Sequence, residues 1–108
     1  MIEILNLLDE LFNNLGKTRT SKSGGLYSKR KCYNFLIEES GKLLKKGSAT
    51  DENLAKFLYN FALFIEGTKA VKMVNNLFIE IKNKLRLEMN NYSNFEEFCV
   101  YLAKYEFN

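Results

Sequence analysis

The stretch Asp51-Glu52-Asn53-Leu54-Ala55-Lys56-Phe57-Leu58-Tyr59-Asn60-Phe61-Ala62-Leu63-Phe64-Ile65-Glu66-Gly67 decides the fold. Its Leu54, Phe57, Leu58, Phe61, Ala62 and Ile65 recur three and four residues apart, the spacing that gathers side chains on one helix face. Ser48 or Thr50 stands ready as N-cap. Asp51 and Glu52 fall in the first turn, where carboxylates meet the positive end of the helix dipole. Residues 57–65 are apolar nearly all round, which places this helix at the centre of a bundle or partly beneath another chain. Core is the favoured reading of these rings over an aromatic stacking platform or an oligomer interface.

The same periodicity runs outward in both directions. On the C-terminal side, Gly67 and Thr68 separate this helix from one carrying Val71, Val74, Leu77, Phe78, Ile81 and Leu85 inward to about Met89, and the two are expected to form a tight helical hairpin. Asn90-Asn91-Tyr92 breaks the chain. Ser93-Asn94-Phe95-Glu96 then fits a capping box with Ser93 as cap, opening a last helix with Phe95, Phe98, Cys99, Leu102 and Tyr105 along one side. Tyr92, Tyr101, Tyr105 and Phe107 are left to cap the bundle or to meet a neighbouring subunit.

On the N-terminal side, a helix is expected to start near Ser28 with Tyr33, Leu36, Ile37, Ser40, Leu43 and Leu44 inward, and Gly41 marks a candidate kink. A first helix over 2–15 shows the stripe Ile4, Leu8, Leu11 and Leu15, ended by Gly16. Between these two, residues 17–27 bury almost nothing and read as a mobile basic loop. The chain holds no Pro, and no alternating run flanked by turn residues survives. The expectation is an all-α fold: one domain over 1–108, a compact bundle of about five helices with a basic flexible loop after the first.

With 108 residues the chain is long enough to bury a core without metal or disulfide staples. It contains no His, which removes the commonest general base, the partner in Ser–His and Cys–His pairs, and the commonest transition-metal ligand. Cys32 and Cys99 have neither C-x-x-C spacing nor a histidine to complete a zinc site, and read as reduced core residues. The adjacent acids Asp9/Glu10, Glu38/Glu39, Asp51/Glu52 and Glu96/Glu97 diverge by about 100° on a helix, so neither member helps the other to hold a metal. Gly16-Lys17-Thr18 imitates the end of a P-loop, but that motif needs a glycine where this chain has Leu11. No catalytic residue, metal or cofactor is expected, and no small-molecule substrate.

Charge is where the sequence speaks about function. The net +3 conceals a division: residues 16–46 hold nine Lys/Arg against two acids, and all other positions hold seven against eleven. Within it, 17–31 carries six cations and no acid, interleaved with Ser, Thr, Gly24-Gly25 and Tyr27. These are residue types that contact phosphate, with one ring able to stack on a base. Lys17, Arg19, Lys22, Tyr27, Lys29, Arg30 and Lys31 are therefore the candidate nucleic-acid contacts, and Lys42, Lys45 and Lys46 extend the set. For these last three, complementing the negative end of their helix is a sufficient structural explanation. Lys72, Lys82, Lys84 and Arg86 read as a solvated helix face.

In length, helix pattern and charge the whole chain resembles the small all-helical subunit of multisubunit CRISPR effector complexes. Its last helix, Ser93-Asn94-Phe95-Glu96-Glu97-Phe98-Cys99-Val100-Tyr101-Leu102-Ala103-Lys104-Tyr105, is similar in aromatic spacing to that of some type III small subunits. The resemblance implies a non-catalytic subunit that stacks in copies along a ribonucleoprotein and sets basic side chains against the backbone of RNA or single-stranded DNA. The competing expectation is a protein-interaction module, such as a phage-type inhibitor or adaptor. Neither requires a membrane: no run approaches about 18 apolar residues and Glu3 stands where a signal peptide carries a cation, so a cytoplasmic location is expected.

Overall fold

A computed structural model of the chain describes the backbone over 29–67 and 71–107 and side chains over 30–67 and 79–107, together with Asn6 and Asp9. These residues are helical wherever they are regular, with no strand among them. The order is α1 (Lys29–Lys46), α2 (Ala49–Gly67), α3 (Val71–Glu88), a single 3₁₀ turn (Met89–Asn91) and α4 (Phe95–Ala103). The expected helix over 2–15, the loop 17–27 and the Ser28 cap lie outside the described residues, except that Asn6 and Asp9 are helical.

α1 and α2 form a close hairpin across Gly47-Ser48. Gly47 has φ +79°, a left-handed conformation that costs an L side chain about 1–2 kcal/mol. Ser48 then caps α2: its Oγ accepts from the Asp51 N–H at 3.0 Å and donates to the Asp51 carboxylate at 2.7 Å. Of the two expected caps, Ser48 is the one used. Ser40 and Ala55, equidistant from the turn, meet where the helices pack, and the buried Ser40 hydroxyl donates to the Ala55 carbonyl at 2.9 Å. α1 passes through Gly41 as one helix and is not broken there. The turn of the expected α2–α3 hairpin, 68–70, lies outside the described residues. α2 packs next on α4.

The core joins Cys32 and Leu36 of α1, Leu54, Phe57, Leu58, Phe61, Ala62 and Ile65 of α2, Ile81 and Leu85 of α3, Met89, and Phe98, Cys99 and Leu102 of α4. The α2 stripe is buried as its spacing requires, and both cysteines are buried thiols. Two expectations are corrected. Leu44, placed inward by periodicity, is 54% exposed, because α1 has reached its last turn and no described residue covers that flank. The cap of α4 is Asn94 and not Ser93: Asn94 is extended (φ −148°, ψ 167°) and its Oδ1 accepts from the Glu97 N–H at 2.9 Å. Ser93 instead donates its hydroxyl to the Glu97 carboxylate at 3.2 Å.

Beyond α4 the chain tightens through Lys104 N–H to Tyr101 O and Tyr105 N–H to Leu102 O, both 3.1 Å. It then returns over α2, where the Phe107 ring lies 4.9 Å from Phe61, 5.4 Å from Phe57 and 5.8 Å from Phe64. Tyr92, Tyr101 and Tyr105 complete this aromatic cap, each within 6.0 Å of another. No described helix is long and apolar enough to cross a membrane.

Candidate nucleic-acid interface

α1 carries all the described members of the expected basic set. Lys29 opens the helix, and Arg30 and Lys31 project from its first turn, both exposed. Lys17, Arg19, Lys22 and Tyr27 lie outside the described residues. Lys42, Lys45 and Lys46 are exposed at the other end. At 1.5 Å per residue, Arg30 and Lys45 stand about 22 Å apart along the axis, with Glu38 and Glu39 between them. The described members of the set are therefore not one cluster.

The two ends differ electrostatically as well as in position. At the C-terminal end Lys45 and Lys46 sit where the helix dipole is negative, and their charge is accounted for by the fold. Lys42 is held at 3.1 Å by Glu39, whose hydrogen bond and charge raise the ammonium above its ordinary pKa. The other end reverses this logic. Lys29, Arg30 and Lys31 occupy the first turn of α1, which contains no acid, so cations stand at the positive end of the dipole. Such a charge in a terminal turn is worth roughly 0.3–1 kcal/mol in the unfavourable sense here. With respect to the helix dipole that arrangement is unfavourable, and an anion placed there would gain from it.

The cations of α3 are not the uniformly solvated face that their scatter implies. Lys82 Nζ and Arg86 Nη2 both reach Asp9 Oδ1 at 2.9 Å. These two cations, the Lys82 hydrogen bond first, hold the Asp9 carboxyl below its ordinary range. Lys84 lies 5.2 Å from the centre of the Tyr105 ring, within cation–π reach. No local spacing signals a partnership between residues 77 apart in sequence, which is why sequence reasoning missed it.

Among the described residues no three Cys, Asp or Glu side chains converge to hold a metal ion. The Cys99 thiol is pushed up to about 12, by burial first and then by the charges of Glu96 and Asp51. Comparison with protein-family models, with curated proteins and with solved structures finds no match to this chain.

Proposed function

We propose that the chain is a non-catalytic nucleic-acid-binding subunit, a cytoplasmic bundle of about five helices that contacts the sugar–phosphate backbone through segment 17–31. The fitting assembly is an RNA-guided CRISPR effector ribonucleoprotein, on the resemblance in length, helix pattern and charge. The observation that carries the reading is the first turn of α1, where Lys29, Arg30 and Lys31 gather at the positive end of the dipole with no acid among them, directly after an acid-free basic segment. That placement opposes stability and favours an anionic partner. Lys42, Lys45 and Lys46 have a structural role that suffices, and their contribution to binding is secondary.

Fluorescence anisotropy tests this, with labelled single-stranded RNA, single-stranded DNA and duplex DNA at about 50 and 200 mM salt. If all six cations of 17–31 meet phosphates of a single strand, affinity falls about 300-fold over that salt range. Replacing Lys29, Arg30 and Lys31 with Ala then lowers the log–log salt slope by about 2. Unchanged binding in the triple variant removes the proposed contact surface.

A protein-interaction module is the second reading. It is favoured by Ile79 and Leu87, 58% and 73% exposed on α3. Its mark is a native complex that contains a protein partner and no nucleic acid.

A further inference from the structure

A depression of about 290 Å³ opens on the seam between α1 and α2, lined by Ser40, Leu44, Ala55, Lys56, Tyr59 and Asn60. It exists because Ser40 and Ala55, where the helices meet, are too small to fill the space beside them. That volume falls just below the roughly 300–1,000 Å³ of small-molecule sites, enough for one planar group and not for a folded partner. One wall is the Tyr59 ring, 49% exposed, and the other is Leu44. Among the described residues, the Lys56 ammonium, the Asn60 amide and the Tyr59 hydroxyl have no hydrogen-bond or ion-pair partner, and no acid lines the space. An aromatic wall, an unused amide and an unpaired cation around an apolar floor match the faces of a nucleotide: a ring to stack, a base edge to bond and a phosphate to neutralise.

Helical register leads from the depression toward the basic end of α1. Arg30, Tyr33, Ile37 and Leu44 recur at helical spacing along one flank of that helix, and this stripe includes no carboxylate. Glu38 and Glu39 lie off the stripe, Glu39 turned to Lys42. Arg30 and Leu44 are about 21 Å apart along the axis, a few nucleotides of an extended strand.

We propose that this depression is a nucleobase pocket, and that it makes the protein a binder of single strands. One unpaired base stacks on Tyr59 against Leu44, the Asn60 amide meets its edge, Lys56 meets its phosphate, and the strand runs along the Tyr33 flank to Arg30. A base held in a duplex cannot enter. The inference rests on the nucleic-acid reading above and adds to it the class of strand.

The test is anisotropy with a labelled 15-nucleotide single-stranded RNA and a duplex of the same length, using the full chain. Tyr59→Ala is expected to weaken single-strand binding about 5- to 150-fold, as loss of one base–aromatic stack does, with duplex binding unchanged. Tyr59→Phe keeps the ring and retains wild-type affinity. Leu44→Glu, at an exposed position that folding tolerates, repeats the loss by setting an acid in the wall. Wild-type single-strand affinity in both Tyr59→Ala and Leu44→Glu overturns the pocket, and leaves the backbone reading standing if the Lys29/Arg30/Lys31 variant still loses binding. Conversion of a wild-type dimer to monomer by Leu44→Glu, with RNA affinity intact, assigns the depression to a second copy and likewise overturns it. No binding of either probe by the wild-type chain at low salt overturns both readings.

Discussion

Phe107 sits outside every regular element, yet its ring lies 4.8–5.8 Å from those of Phe57, Phe61, Phe64 and Tyr105. Replacing a fully buried Phe with Ala costs about 3–5 kcal/mol, and a half-buried ring forfeits about half of that, roughly 1.5–2.5 kcal/mol. Part of this loss is shared with Phe61, the nearest ring of α2 at 4.9 Å, because an aromatic pair contributes about 0.5–1.5 kcal/mol beyond its area. A double-mutant cycle of Phe107→Ala and Phe61→Ala, read by urea unfolding at 222 nm, should therefore return a coupling of that size. With a slope near 1.5 kcal/mol/M, Phe107→Ala alone should move the midpoint down by about 1 M or more. A shift within about 0.2 M of wild type, with additivity in the cycle, would refute the claim that the C-terminal segment is part of the core.

Three other perturbations probe separate joints. Asn94→Ala removes the α4 cap and should cost about 1 kcal/mol in the same urea assay, with Ser93→Ala costing clearly less; the reverse order would restore Ser93 as the cap. The thiols of Cys32 and Cys99 should stay unlabelled by a disulfide reagent at pH 8 until denaturant is added, because both are buried and the Cys99 thiol is raised to about 12; rapid native labelling would contradict this. The Asp9 carboxyl has a folded pKa below its ordinary 3.8, so its contribution is fully present above that value and is lost as pH falls through the depressed one. Asp9→Asn should thus melt below wild type at pH 7 in low salt and converge with it in strong acid; a gap that persists in acid would deny the contacts to Lys82 and Arg86.

Helical spacing was enough to place α1 through α4 and most of the core, since the stripe Leu54, Phe57, Leu58, Phe61, Ala62 and Ile65 and the pair Ile81 and Leu85 are buried as a 3.6-residue period demands. Composition could propose the basic set, but not how its described members are grouped. Charge along a sequence is one-dimensional, and a helix of 18 residues carries Arg30 and Lys45 to opposite ends with opposite dipole environments. Cap choice between neighbours escaped it for a similar reason: Ser93 and Asn94 are both good caps, and backbone direction selects one.

What the sequence alone determined is therefore the helical architecture, the central place of the Phe-rich helix and the acid-free basic segment, because each follows from local period or composition. What only the tertiary structure decided is which faces meet. Neighbours in space left Leu44 uncovered and opened a depression beside Tyr59. They also tied Lys82 and Arg86 to Asp9 and folded Phe107 onto α2, because these contacts join residues far apart in the chain whose pairing no local pattern encodes.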